Sequence, residues 1–383
     1  MLGSSPTALY AAREASKVAG RVAIADFERG CAFRSSCVQQ SRVVTTAGDV
    51  STWLAKFGGA GGSRPLLLPT SDVFIEFVMA NAERLSHSFE VLGGYRGVAA
   101  DLLDKERFHA LCHQHGFLTP GVWQAVGTER LLALADEVPF PCILKPKLIH
   151  KAKAFLSGKK VLLCRSREEF VSQVHRIPDD SGGWLVQEVI PGPESEITLF
   201  GGYIGRDGIA RQVFTGRKLR QYPSGFGSAS MVTSEPCDET RTLTLGFLQR
   251  IGFQGVCGAE FKRDPRDGRL KIIEINPRPT LWFQIAHDAG LRIVEAAWRD
   301  MSGKPPLPEG DQRTDVCWRY LLKDIASARF YRRSGKDFVF PPPDVSTARA
   351  MTATSWPVFS PGDMLPAVAE PFGFLRKAWM RRK

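Results

Sequence analysis

Nowhere in the 383 residues is there a run of about 18 or more uncharged apolar side chains, the length a membrane-spanning helix needs. The opening stretch from Met1 to Lys17 also lacks the apolar core of a signal peptide, so a soluble cytoplasmic protein is expected. The eight cysteines are scattered and form no C-x-x-C pair, which argues against both a zinc knuckle and a disulfide framework and leaves them as reduced, mostly core residues. No internal repeat is present. Aromatic residues are not regularly interleaved with basic ones, as a single-strand nucleic-acid platform requires, so nucleic acid is not an expected partner. The net charge of +11 is unevenly spread. Residues 311–383 carry thirteen Lys and Arg against seven Asp and Glu, so about half the excess lies in the last fifth of the chain and ends in Arg381-Arg382-Lys383.

With 43% apolar residues the chain can bury a sizeable core, and its length suits two or three domains. In the first hundred residues Arg21–Ala25 and Pro65–Pro69 read as buried strands and Thr7–Val18 as a helix, an alternation that points to a small parallel α/β domain. The polar run Thr70-Ser71-Asp72 then falls at a carboxyl strand end, where such sheets bind ligands, although Ser71 or Asp72 would also serve as a helix cap. From Asp101 onward the pattern changes. A helix opens at Asp104 and stops near Gly116. Strands are predicted at Cys142–Pro146, Lys160–Cys164, Trp184–Ile190, Glu196–Ile204, Ile209–Phe214, Gly258–Arg263 and Leu270–Ile275, which together describe helix-covered antiparallel sheets.

The residues suited to phosphoryl transfer lie close together. In Gly258-Ala-Glu260-Phe-Lys262 and Ile272-Ile-Glu274-Ile-Asn276-Pro-Arg278, Glu274 and Asn276 are two apart on a strand and share a face, on which Glu260 of the preceding strand converges. Glu274 stands among isoleucines, a setting in which an unpaired carboxylate is costly. Oxygen donors of this kind hold magnesium against phosphates, where protein contributes mainly position and electrostatic stabilisation.

On these residues the chain resembles the ATP-grasp superfamily, in its carbamoyl-phosphate-synthetase and biotin-carboxylase branch, over roughly residues 1–303. The resemblance implies an α/β and α+β architecture: an N-terminal parallel α/β domain over 1–98, a two-part ATP-grasp unit over 99–183 and 184–303, and a C-terminal extension over 304–383. It implies that Glu260, Glu274 and Asn276 bind magnesium, with manganese as a substitute, at the phosphates of ATP, and that Arg278 steadies the acyl phosphate. Lys105 in Asp-Lys-x-x-Phe and Lys145 in Ile-Leu-Lys-Pro resemble the two lysines that contact phosphate. The segment Val186–Glu194 resembles the adenine hinge, with a carbonyl and an N–H offered by Glu188 and Ile190. Glu194 is the first choice for the ribose, with Glu196 as the alternative on the same strand face. Arg217 and Lys218 resemble the basic segment that meets the γ-phosphate or the substrate carboxylate. One departure is that the stretch after Lys145 lacks the expected glycines and serines, so either lysines at 151 and 153, or at 159 and 160, would take over phosphate wrapping, or the loop would order only on binding.

A single unit of this kind implies an ADP-forming ligase that joins a small carboxylate to an amine or thiol through an acyl phosphate. A carboxylase of the biotin-carboxylase type is the enzymatic alternative, and a non-catalytic nucleotide or nucleic-acid binder the alternative of another class. In the C-terminal extension, Leu365, Val368, Phe372, Phe374, Leu375 and Trp379 are expected to pack on the body of the protein, with weak contact of the basic tail to an anionic surface as the other reading.

Overall fold

Leu2, Ala25, Leu67 and Val91 each sit in a short apolar run, and in the computed structural model, which describes residues 1–58, 64–147, 155–156, 161–178, 183–334 and 338–371, these runs lie side by side. Strand β1 (Ala23–Asp26) pairs in parallel with β2 (Gln40–Val43), and β3 (Leu66–Leu67) with β4 (Glu90–Val91). Leu2 bridges to both Ala25 and Pro69 and so joins the two pairs into one parallel layer. Pro6 opens the helix Pro6–Ala15, where its missing N–H costs nothing, and the helix buries Leu9 and Tyr10. The helix Asp72–Ala80 follows directly on Thr70-Ser71. Ser71 occupies its cap position without a side-chain cap hydrogen bond, so the capping role considered for this run is absent.

A second, antiparallel sheet contains β5 (Val122–Ala125), β6 (Cys142–Pro146), β7 (Leu162–Cys164) and β8 (Trp184–Glu188) in the order β5-β8-β6-β7. Its alternation is clean. Cys142, Leu144, Trp184 and Val186 pack with Leu131 and Phe170 of the covering helices, whereas Ile143, Lys145 and Gln187 face the opposite way. The helix Lys105–Gln114 leads into this sheet, capped by the Asp104 carboxylate, which accepts the N–H groups of Glu106 (2.9 Å) and Arg107 (3.0 Å).

The largest layer has seven strands: β9 (Ile197–Ile204), β10 (Ala210–Tyr222), β11 (Ser228–Ser234), β12 (Gly255–Arg263), β13 (Leu270–Asn276), β14 (Val316–Arg319) and β15 (Ala353–Ser355), ordered β13-β12-β9-β10-β11-β14-β15. Phe200, Phe261 and Ile272 pack under the helix Asp238–Arg250. On the other face Leu199, Phe214 and Phe283 share one core with Tyr10, Phe74 and Tyr95 of the N-terminal domain. Strand β10 extends past the predicted end at Phe214 and carries Arg217–Arg220 within it, with register shifts against β11 on both sides of Arg220. The segment after 303 adds two strands to this layer, because β14 pairs antiparallel with β11, β15 pairs in parallel with β14, and the buried Trp318 fixes them to the sheet.

Candidate active site on the large sheet

The register of β12 against β13 places Glu260 opposite Glu274 and Gly258 opposite Asn276, so the three predicted metal ligands lie on one face of two neighbouring strands. Asn276 Nδ2 donates to Glu274 Oε1 at 3.0 Å. Lys218, on β10, reaches the same face and forms an ion pair with Glu260, its side chain only 2% exposed. The setting of Glu274 differs from expectation. A bulge between Glu260 and Phe261 leaves Ile272 and Ile275 in the helix-covered core, and Glu274 is exposed rather than enclosed by its isoleucine neighbours. Among the described residues no three His, Cys, Asp or Glu side chains gather at metal-ligand spacing, since the trio offers two carboxylates and one amide.

Arg217 and Lys218 do not share a face. Adjacent residues of a strand point to opposite faces, and Arg217 turns away to hold Glu235 through Nε (3.0 Å) and Nη2 (2.7 Å) and to donate to the Ser195 carbonyl (3.1 Å). Arg278 lies just beyond β13 and donates from Nε to Asp72 Oδ1 at 2.7 Å. The polar strand end of the N-terminal domain is thereby brought to the predicted site, and the Tyr95 hydroxyl, donating to the Pro277 carbonyl at 3.1 Å, ties the same two domains together.

At the hinge, the Glu188 N–H is bonded to the Gly121 carbonyl (2.9 Å), and the Glu188 carboxylate accepts the Gly121 N–H (2.9 Å) and a bond from Arg266. Arg266 and Lys271 also bind Asp264, at 2.5 and 2.7 Å, so a four-charge network anchors the end of β8 to the β12–β13 turn. The two ribose candidates separate. They lie not on a strand but in the 3-10 turn Glu194–Glu196, so they share no face. Glu194 is 0% exposed, and its carboxylate accepts the N–H groups of Gln221 (2.9 Å) and Gly225. Burial raises its pKa, against the opposing pull of those donors. The Glu194 carboxylate is thus engaged with backbone donors inside the protein, whereas Glu196 is partly exposed and lies beside Gly192.

Sequence reasoning missed Lys262. It is 3% exposed, and its Nζ donates to the carbonyls of Ile190 and Gly192, both at 2.8 Å. Burial lowers its pKa to about 7, opposed by the charges of Glu194, Glu196 and Asp264. A signal was present: Lys262 stands two residues after Glu260 and so shares its face.

The pKa of His109 is lowered to about 4 by burial and by the charges of Lys145 and Lys105. Lys145 Nζ donates to Gln187 Oε1 at 2.7 Å on the face of the second sheet away from its helices. The lysines at 151, 153, 159 and 160 lie outside the described residues, as do Phe372, Phe374, Leu375 and Trp379. Leu365 and Val368 are 65% and 60% exposed, contrary to the expectation that they pack, because the anchor of this segment is Asp363, held by Arg13, Ser35 and Ser36.

No protein-family model matches the chain. It is 26% identical over 276 residues to the D-aspartate ligase of Enterococcus faecium (strain Aus0004), an alignment covering 68% of this chain and 65% of that enzyme. Against the carbamoyl phosphate synthase large chain of Ralstonia nicotianae it is 24% identical over 271 residues, 67% of this chain and 24% of that one. The chain thus spans less than two thirds of these relatives' length. Among solved structures, an ADP complex of N5-carboxyaminoimidazole ribonucleotide synthetase superposes with a TM-score of 0.64 at 13% identity, over 82% of this chain and 78% of that one. The biotin carboxylase domain of the Hydrogenobacter thermophilus 2-oxoglutarate carboxylase, solved with MgADP, ADP and bicarbonate, gives 0.62 at 16%, over 82% and 72%. The L-amino acid ligase of Bacillus licheniformis gives 0.59 at 17%, over 82% and 77%.

Proposed function

From the premise that this chain is a member of the ATP-grasp superfamily, we propose that it is an ADP-forming ligase that joins a small carboxylate to an amine or thiol nucleophile through an acyl phosphate. The observation that carries this reading is the meeting of Glu260, Glu274, Asn276 and Lys218 on one sheet face, next to a hinge and within reach of an N-terminal domain that pairs Asp72 with Arg278.

ATP binds between the face of β5–β8 away from the helices and the large sheet, with its base at the Glu188 carbonyl and Ile190 N–H and its ribose at Glu196. Lys105 and Lys145 hold phosphate oxygens. The donor set of Glu260, Glu274 and Asn276 suits a hard divalent cation, since all its donors are oxygens and two are charged. Magnesium, or manganese in its place, would offset the charge of the phosphates there. The substrate carboxylate attacks the γ-phosphorus, the bond to the β-phosphate oxygen breaks, and ADP leaves. Arg278 and Lys218 place fixed positive charge where negative charge gathers, which favours the transition state over the ground state. The nucleophile then attacks the acyl carbon, phosphate departs, and the proton of the nucleophile passes to solvent. Joining a carboxylate to an amine is preferred over carboxylation because the relative aligned over 68% of this chain is named for ligation of D-aspartate.

The test is a screen of amino acids and other carboxylates with amine and thiol acceptors, read as release of ADP and phosphate, with a bicarbonate and biotin arm beside it. ADP and phosphate in a carboxylate- and acceptor-dependent assay are the expected products. AMP and pyrophosphate would overturn the mechanism, and turnover only with bicarbonate and biotin would replace it with carboxylation.

A further inference from the structure

The hinge proposed to receive the base is packed with the protein's own side chains. Ile143 and Val189, on the side of the second sheet away from its helices, form one cluster with Phe340, which is 4% exposed, and Leu163, Phe226 and Phe338 close around it. Phe340 comes from the segment after the helix Leu321–Ser334, far along the chain from every strand it covers. Its ring lies over the Lys262 ammonium, 3.8 Å from Nζ to the ring centroid, while that ammonium is bonded to the Ile190 and Gly192 carbonyls. A cation–π contact of this kind is stronger out of water than at the surface, which offsets part of the cost of burying the charge. Gly225 adds a second clamp. It adopts φ +88°, and a Cβ there would come within 2.5 Å of the Phe338 ring, so only glycine lets the β10–β11 hairpin close on this segment.

Resting on the ligase reading above, we infer that the C-terminal segment fills the base slot of the free protein: Phe340, held on Lys262, stands where the base would lie between Ile143 and the large sheet, and it withdraws when nucleotide enters. Phe340 and Lys262 then set nucleotide affinity without touching the reacting atoms. A binding-competent form that is only fractionally populated weakens apparent affinity by that fraction, so loosening the plug tightens binding.

The experiment measures Mg·ADP and Mg·ATP affinity by titration calorimetry on the full chain, for the wild type, Phe340→Ala and Lys262→Met, each first checked for a cooperative thermal transition. Lys262→Met keeps the apolar stem but loses the ammonium, and it serves as the test where Phe340→Ala fails to fold. We expect roughly tenfold tighter nucleotide binding for Phe340→Ala and a smaller gain in the same direction for Lys262→Met. Unchanged affinity would overturn the inference, as would weaker binding, which would make Phe340 a wall of the slot instead of its occupant. Binding of nucleotide by neither the wild type nor the variants would instead defeat the ligase reading on which the inference rests.

Discussion

Glu260 and Glu274 face each other across two strands, yet their replacement by glutamine is expected to fail in different ways. Glu274 is exposed, and its neighbour Asn276 keeps a hydrogen-bond acceptor in Glu274→Gln, so stability should stay within about 0.5 kcal/mol of wild type. Its loss removes a charge that is needed only where phosphate charge is stabilised. A fall in turnover of more than about a hundredfold, roughly 2.7 kcal/mol, is the expected scale for one such group. Glu260→Gln removes the counter-charge of Lys218, whose side chain is all but closed off from water. Breaking one partner out of a buried pair costs about 3–5 kcal/mol. The glutamine oxygen still accepts a hydrogen bond and Glu260 is partly open to solvent, which reduces the expected cost to about 2 kcal/mol. At about 2–4 °C per kcal/mol for a domain of this size, the transition should fall by about 4–8 °C. Scanning calorimetry without nucleotide, paired with the rate of ADP release, separates the two effects. An equal loss of thermal stability in both variants would refute the geometric argument, and near-normal magnesium-dependent ATP use by Glu274→Gln would refute the assignment.

The two hinge carboxylates should separate in the opposite sense. Glu196→Gln is expected to raise KM for ATP by about tenfold at unchanged thermal stability, whereas Glu194→Gln should cost about 1–3 kcal/mol, because its buried oxygens serve backbone donors; a KM effect confined to Glu194 would reverse the assignment. Lys262 gives a pH dependence. Its pKa in the folded chain is about 7 against 10.5 for the free side chain, so between these values the unfolded chain binds more protons and stability rises with pH from about 7 toward 10.5. Thermal denaturation of wild type and Lys262→Met from about pH 6.5 to 9.5 should show the wild type gaining on the variant as pH rises, and parallel curves would show that the burial is not felt.

Much of the architecture was legible because it rests on local chemistry. The strand Cys142–Pro146 is bounded by prolines and reads as an apolar run, and Asp104 and Ser166 precede their helices as capping residues do. Glu274 and Asn276 were readable as a pair because a spacing of two on a strand leaves no choice of face. What stayed hidden depends on distant partners. Nothing around Glu194 reveals that amides at 221 and 225 will take its carboxylate. Lys262 looks like any strand lysine until the Ile190 and Gly192 carbonyls and the Phe340 ring close on it. The strands of the extension after 303 are not legible in the sequence because β14 and β15 are short, and their strand character comes from pairing, β14 on the edge of β11 and β15 on β14.

The ion pair between Asp72 and Arg278 has a bearing on selectivity. If Arg278 receives the substrate, then Asp72 presents to it the same functional group that the substrate brings, on a tether supplied by the N-terminal domain. An incoming acid competes with a resident one whose effective concentration is on the order of millimolar. A bare short-chain acid gains nothing by the exchange. An acid that also carries an ammonium group gains twice, because it releases Arg278 to its own carboxylate and offers Asp72 a new cation in return. With Arg278 as the partner of the substrate, as proposed above, amino acids are expected to support faster ADP release than simple carboxylates of the same length, and equal rates for the two would refute this.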